Sequence, residues 1–227
     1  MDRINQNIDD SFSQLTKTNC LILTLGSAYA YWHKDKNYVV ANCHKLPQTC
    51  FERILLDNQT IEDELLETLK QIRKINEHIR FILTISPIRY VKYNMEENML
   101  SKSILKIATS HIVNQSKDVE YFPSYEIMID DLRDYRFYQS DMIHPNETAV
   151  NYIWAKFSQH YFSENTQQIA DIMQEINLGK QHIIKKNNAE ALQKFQQAML
   201  NKIDKVQRLA PYLLLESEKQ YFNHIIE

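Results

Sequence analysis

The chain has 227 residues, of which 44% are hydrophobic and 24% are charged, and its formal net charge is -3. This composition is close to that of an average soluble globular protein and excludes a long disordered or low-complexity region. The small negative charge provides no basic field for a phosphate backbone, so we expect no nucleic-acid partner.

The N-terminal segment, residues 1–18, is polar and lacks the apolar run of a signal peptide. No other stretch approaches the ~20 apolar residues of a membrane span. The three cysteines, Cys20, Cys43 and Cys50, contain no Cys-x-x-Cys pair, and their odd number fits a reducing compartment better than a disulfide scaffold. We therefore expect a cytoplasmic protein with no membrane partner and no metal site.

Segments with the apolar pattern of a strand alternate with segments that have the apolar pattern of a helix, and this order predicts an α/β fold. Short apolar runs predict strands at residues 20–25, 37–41, 80–85 and 119–122, and the first of these reads as a buried strand. A helical period of apolar residues predicts helices over residues 60–78 and 100–112. The face predicted for the second helix comprises Leu100, Ile104, Leu105, Ile107, Ala108 and Ile112.

This order of strands and helices predicts a mostly parallel sheet with right-handed crossovers. In such sheets, ligands bind at the carboxyl ends of the strands. We therefore expect Gly26, Ser86 and Pro123, each of which follows a predicted strand, to lie on one rim.

The last third of the chain is predicted to be helical. Pro145 and Glu147 suit the first turn of a helix whose apolar stripe continues to Tyr161. Beyond it, helical spacing predicts a hairpin of two helices broken near residues 179–188. The apolar stripes of this hairpin must be covered, either by packing on the rest of the chain or by self-association.

The expected organisation is therefore a polar N-terminal segment, an α/β domain and a set of C-terminal helices, at residues 1–18, 19–163 and 164–227. Only two glycines are present, Gly26 and Gly179. Phosphate-binding loops of the GxGxxG or GxxxxGK[ST] type are thereby excluded, and we expect no nucleotide cofactor.

The clearest candidate for chemistry is the pair Asp141 and His144. A carboxylate three residues before a histidine can hold one imidazole N–H in a tight turn and leave the other ring nitrogen free as a base. The alternative is a surface turn before a helix, where both residue types are common. Acids, arginines and tyrosines crowd residues 121–138, and they suit either an internal ion network around Arg133 or Arg136 or contacts to a substrate.

Five blocks of the sequence, in order, resemble the GSCFA domain family. They are LTLGSAYAY at 23–31, VVANCHKLP at 39–47, TISPIRY at 84–90, NMLSKSIL at 98–105 and YFPSYEIMIDDLRDYRFYQSDMIHP at 121–145. That family is similar to the SGNH, or GDSL-like, hydrolases. The resemblance implies a flavodoxin-like three-layer α/β/α sandwich, an acyl or ester substrate, a serine nucleophile and a DxxH motif that supplies the catalytic histidine and aspartate.

Residue by residue, the resemblance places Asp141 and His144 in the DxxH motif and makes Gly26 and Asn42 candidates for stabilising an oxyanion. His44 would line the site or bond within its loop. Arg89 would bind either an anionic group of the substrate or an internal acid.

The chain departs from the family pattern at the motif that supplies the nucleophile. The Gly-Ser-Cys-Phe-Ala motif that carries the family's serine is absent. Ser27 is the local substitute because it follows a strand and a glycine. The resemblance instead aligns it with a later Gly-Thr/Ser block, in which Ser27 would help to shape the site or end the strand.

We therefore expect an N-terminally shortened family member, either a fragment or the product of a misplaced start site. Such a chain would be an incomplete SGNH-type esterase. The alternative is a non-catalytic interaction module, or a domain completed by a partner chain at an exposed sheet edge.

Overall fold

The computed structural model describes residues 2–40, 42–43, 45–90, 94–181 and 189–224. The chain divides into two compact units, Met1–Ile153 and Trp154–Glu227. Within the described residues, none of the helices combines the length and apolar character that crossing a membrane requires.

The first unit contains the strands and most of the shorter elements. Its strands are β1 (Cys20–Leu25), β2 (Tyr29–His33), β3 (Tyr38–Val40), β4 (Phe51–Leu55), β5 (Arg80–Ile85) and β6 (Val119–Phe122). Its complete helices are α1 (Asp2–Leu15), α2 (Asn58–Ile75), α3 (Met95–Gln115) and the short α4 (Ser124–Glu126), which continues as a π-helical turn at Ile127–Asp131. Single 3₁₀ turns occur at Gln48–Cys50 and Tyr135–Phe137, and helix α5 (Glu147–Tyr161) follows.

A parallel sheet with the strand order β1-β5-β6 forms the centre of this unit. In its register, Ile82 of β5 lies opposite Ile22 of β1 and Glu120 of β6. Helices flank the sheet, which is consistent with a three-layer α/β/α fold, and the predicted fold class is confirmed. Because all three strands are parallel, the rim predicted at Gly26, Ser86 and Pro123 is also confirmed.

Strands β5 and β1 differ in burial. In β5, every residue from Phe81 to Ile85 is buried, as expected of a parallel strand covered on both faces. In β1, exposed residues alternate with half-buried ones, and Cys20, Ile22 and Thr24 face solvent. The prediction of a buried strand at residues 20–25 is therefore wrong, because β1 is an edge strand with one uncovered face.

Helices α2 and α3 cover the other face of the sheet. Asp57 and Asn94 cap them by accepting the N–H of a residue in the first turn. The predicted face of α3 is correct for Leu105, Ala108 and Ile112 and wrong for two of its members, Leu100 and Ile107, which are about half exposed. The buried face of α3 also contains four polar residues, which are Asn98, Ser101, Lys102 and Thr109.

A second, antiparallel sheet with the order β3-β2-β4 follows β1 directly. Tyr31 in β2 lies opposite Val40 on one side and Arg53 on the other. Sequence patterns predicted only β3, as residues 37–41, of which Ala41 lies outside the described residues. Since β3 pairs with β2, this predicted strand does not belong to the parallel sheet.

The second unit is helical. After the end of α5, its described residues form α6 (Glu164–Gln181), α7 (Ala189–Leu209) and α8 (Glu216–Asn223). Its core includes Ile176, Ile203 and Phe222, whose side chains are fully buried. The predicted helical hairpin is confirmed as α6 and α7, whereas α8 was not predicted, and most of the predicted break, residues 182–188, lies outside the described residues.

Gly179 lies where α6 packs tightly on α7 and α8. A Cβ at this position would lie 2.7 Å from Met199 Sδ and 3.4 Å from the Cζ atoms of Phe195 and Phe222. We expect Gly179→Val to lower the free energy of unfolding of this unit by about 1–3 kcal/mol, because the added methyl groups overpack the contact. Urea denaturation followed by circular dichroism would measure the change. The exposed neighbour Leu178 supplies the control, Leu178→Val, and equal stabilities of the two variants would contradict the prediction.

Candidate active site

The DxxH motif lies in a closed loop at residues 138–145, which we call the DxxH loop. An antiparallel bridge between Tyr138 and Pro145 closes the base of the loop. Asn146 follows at once, and its side-chain oxygen accepts the N–H of Ala149 in the first turn of α5, at 3.1 Å. The loop is therefore anchored directly to the start of a helix.

Within this loop, Asp141 accepts three hydrogen bonds. Its Oδ1 accepts the backbone N–H groups of Ile143 and His144 at 2.9 and 3.0 Å, and its Oδ2 lies 2.6 Å from His144 Nδ1. The backbone reaches this geometry through Met142, whose φ of 59° lies in the left-handed region. The two backbone donors and the imidazole together lower the pKa of the Asp141 carboxyl to about 2.

An ionised Asp141 makes Nδ1 of His144 the protonated ring nitrogen, because a carboxylate can only accept a hydrogen bond. No described residue forms a hydrogen bond with the other nitrogen, Nε2. The His144 side chain is 49% exposed, so that nitrogen can meet a ligand. The arrangement matches the orienting half of a catalytic triad and can accept a proton from a nucleophile.

Ser27 is engaged in the turn after β1. Its Oγ accepts the backbone N–H of Tyr29 at 3.0 Å and lies 3.2 Å from Ser101 Oγ. Ser101 Oγ in turn accepts the backbone N–H of Ala28 at 2.7 Å. The two hydroxyls therefore hold the turn against helix α3.

The structure does not join Ser27 to the histidine of the motif. Among the hydrogen bonds of the described residues, none connects Ser27 with His144. Gly26, the other candidate in this turn, has no positive φ, and a Cβ there would meet open space. The turn thus shows no conformational need for glycine.

Asn42 is an exposed residue in the loop after β3. Because β3 belongs to the antiparallel sheet, Asn42 does not follow a strand of the parallel sheet as the sequence pattern suggested. His44, the other candidate in this loop, lies outside the described residues.

Arg89 is brought directly to the DxxH loop. Its backbone N–H donates to the Ile143 carbonyl at 3.3 Å, and its Nη1 donates to the Met142 carbonyl at 3.4 Å. The guanidinium carbon lies 4.1 Å from the centre of the Tyr138 ring and 5.3 Å from that of Tyr135. The contacts of Arg89 therefore hold the loop after β5 against the DxxH loop.

Two cavities open beside Arg89. The smaller, of about 170 Å³, is lined in part by Arg89, Arg133, Asp134, Tyr135 and Tyr138. The larger, of about 450 Å³, is lined by Arg89, Met95, Tyr135, Asp141, Met142 and Ile143. The larger cavity combines apolar side chains with the aspartate of the motif.

Lys102 is a polar residue of the rim that sequence reasoning missed. Its Nζ donates to the carbonyls of Gly26 at 2.8 Å and Ser86 at 2.7 Å, so it ties the ends of β1 and β5 together. Burial lowers the pKa of its ammonium group to about 8. The sequence signal that could have identified Lys102 is its position one turn before Leu105, on the stripe of α3 that faces the sheet.

The charged run at residues 121–138 forms ion pairs at the surface. Arg133 lies 3.3 Å from Asp130, and Arg136 lies 3.6 Å from Asp134. All four side chains are more than half exposed. The predicted pairing of these arginines with acids of the run is therefore present, but it is not an internal network.

Among the described residues, no group of three or more His, Cys, Asp or Glu side chains is placed to hold a metal ion. In comparisons with known proteins, the model of the GSCFA family matches residues 1–157. No curated protein matches the chain.

Proposed function

This chain belongs to the GSCFA family, and on that premise we propose that its α/β unit is an SGNH-type serine esterase or acyl hydrolase domain. The observation that carries the proposal is the contact of 2.6 Å between Asp141 Oδ2 and His144 Nδ1. It orients an exposed imidazole with Nε2 directed away from the carboxylate. The reaction is the transfer of an acyl group from an ester to water.

In this proposal, His144 is the general base that takes the proton of the nucleophile and later returns it to the leaving alcohol. Asp141 holds the imidazole in the required tautomer and stabilises its protonated form. The Gly26 N–H and the Asn42 side-chain amide are the proposed donors to the oxyanion of the tetrahedral intermediate.

The nucleophile is the incomplete part of this machinery. Ser27 is the candidate on this chain, and its hydroxyl is engaged with Ser101 and with the N–H of Tyr29. To attack an ester, Ser27 Oγ would have to come within hydrogen-bond distance of His144 Nε2, a contact that is not among the hydrogen bonds of the described residues. We therefore propose catalysis with a nucleophile that is either Ser27 or a serine supplied by another chain.

Strand β1 favours a second candidate function, a domain that acts through a partner. In the described part of the sheet, β1 pairs with β5 alone, and its residues Cys20, Ile22 and Thr24 are exposed. An edge strand with free backbone groups can accept a further strand. In this alternative, the partner is a second chain that extends the sheet next to β1, and light scattering of the purified protein would show a mass above that of the monomer.

The deciding experiment measures hydrolysis of short-chain p-nitrophenyl esters by the wild type, His144→Ala and Ser27→Ala. His111→Ala is the matched control, because His111 Nδ1 also lies beside a carboxylate, 3.0 Å from Glu62 Oε2, but near the C-terminal end of helix α3. We expect activity in the wild type and His111→Ala and its loss in His144→Ala.

The serine variant separates the two sources of the nucleophile. Loss of activity in Ser27→Ala together with an unchanged circular dichroism spectrum would assign Ser27 as the nucleophile. Retained activity would assign the nucleophile elsewhere. Equal background rates in all four proteins would refute hydrolysis by this chain on its own and leave a nucleophile supplied by another chain or the partner-dependent function.

A further inference from the structure

Arg89 carries a charge that forms no ion pair with any described residue of the first unit. Four other arginines lie within 4 Å of a carboxylate, in the pairs Arg53–Glu97, Arg73–Asp118, Arg133–Asp130 and Arg136–Asp134. Among the described residues, no carboxylate lies within that distance of the Arg89 guanidinium. The internal acid that the sequence left open as its partner is therefore not found in the described structure.

The Arg89 guanidinium is held in place although it lacks an ionic partner. Its side chain is stacked on Tyr138, which is only 8% exposed, and its Nη1 contacts the Met142 carbonyl. That contact uses one of the five N–H donors of a guanidinium. A planar, preorganised fork of this kind matches the oxygens of a carboxylate or phosphate.

Both cavities at the DxxH loop contain Arg89 in their walls. The larger one adds three apolar side chains, from Met95, Met142 and Ile143, and the carboxylate of Asp141. Both oxygens of Asp141 already accept hydrogen bonds from within the loop, which reduces the repulsion between this carboxylate and a bound anion. The cavity therefore suits a ligand with a short apolar part and one anionic group.

We propose that Arg89 binds an anionic oxygen group of the substrate, a carboxylate or a phosphate, next to the ester bond. This inference rests on the proposed function, because it names the substrate class of the same site. The substrate is then an ester of an acidic compound, held by its charge while His144, in the loop that Arg89 contacts, acts on the ester.

Calorimetric titration of the full chain tests the inference without any need for turnover. The probes are monomethyl succinate, methyl phosphate and, as a neutral match, dimethyl succinate. We expect the wild type and His144→Ala to bind at least one anionic probe, and Arg89→Gln to bind it about tenfold or more weakly, as loss of a charge-assisted hydrogen bond predicts. Arg89→Lys should be intermediate, since it keeps the charge and loses the fork.

Arg53→Gln is the matched control. Arg53 is also a partly buried arginine stacked on a tyrosine, 4.5 Å from the Tyr29 ring centre, but it is paired with Glu97. The Arg53→Gln variant should bind the anionic probes as the wild type does. The order of affinity between the two anionic probes then identifies the oxyanion.

Three results would overturn the inference. They are no binding of either anionic probe by the wild type, binding of dimethyl succinate as tightly as of the anionic probe that binds best, and equal affinity of Arg89→Gln and wild type for that anionic probe. Anion binding that depends on Arg89 without any ester hydrolysis would support the anion site and refute the proposed hydrolase activity, so the two failures are distinguishable.

Discussion

Asp141→Asn is expected to lower kcat for ester hydrolysis by about 10³- to 10⁴-fold, as replacement of the orienting aspartate does in a Ser-His-Asp triad. The backbone N–H groups of Ile143 and His144 both bond to Asp141 Oδ1. In the variant, these two donors select the amide oxygen for that position. The NH₂ group then faces His144 Nδ1, which must become the acceptor, so that Nε2 carries the proton and cannot act as a base.

The same substitution should have little effect on folding, because the amide oxygen preserves the two backbone hydrogen bonds. Initial rates at saturating ester, with circular dichroism to verify the fold, measure the effect. Asp57→Asn is the matched control, since Asp57 caps α2 by accepting the N–H of Thr60 and asparagine caps a helix equally well. Wild-type activity in Asp141→Asn would contradict the role assigned to this carboxylate.

Lys102 is expected to make the stability of the first unit rise with pH. Burial lowers the pKa of its ammonium group from 10.5 to about 8 in the folded chain. Between these values, the unfolded chain binds more protons than the folded chain, so the free energy of unfolding increases as the pH rises. The difference between the two pKa values corresponds to a gain of about 3 kcal/mol in the free energy of unfolding. This gain is absent below pH ~8 and complete above pH ~10.5.

Comparison with Lys102→Met isolates this contribution, because methionine keeps most of the stem and does not titrate. Urea denaturation at several pH values, followed by Trp32 fluorescence in a Trp154→Phe background, reports on the first unit. Burial and the hydrogen bond to Glu126 raise the pKa of Tyr121, and this shift lowers the stability at high pH. Because both proteins contain Tyr121, its contribution cancels in the comparison. Parallel pH profiles for the two proteins would contradict the prediction.

Local pattern was sufficient to predict the elements that position the site. Strands β1, β5 and β6 are short apolar runs that end at turn-forming residues, and their alternation with helices predicted the parallel sheet and its common rim. The Asp141–His144 contact was also predictable, since it is formed across three residues of one turn and needs no distant part of the chain.

The small antiparallel sheet was not predictable in the same way. Its strands β2 and β4 contain charged and aromatic residues, and they pair with one another although β3 and a 3₁₀ turn lie between them in the chain. Helix α1 was not predicted either, although Ile4, Ile8 and Phe12 recur at the four-residue spacing of a helix face.

The sequence by itself thus determined the parallel sheet, its rim and the orientation of His144 by Asp141, because these depend on local periodicity and on contacts within one turn. Only the tertiary structure decided the partners of three polar side chains. It brought Ser27 to Ser101, Lys102 to two carbonyls of the rim, and Arg89 to the DxxH loop without an acid. These contacts join residues up to 76 positions apart, and a single sequence contains no periodic signal for which distant donor meets which acceptor.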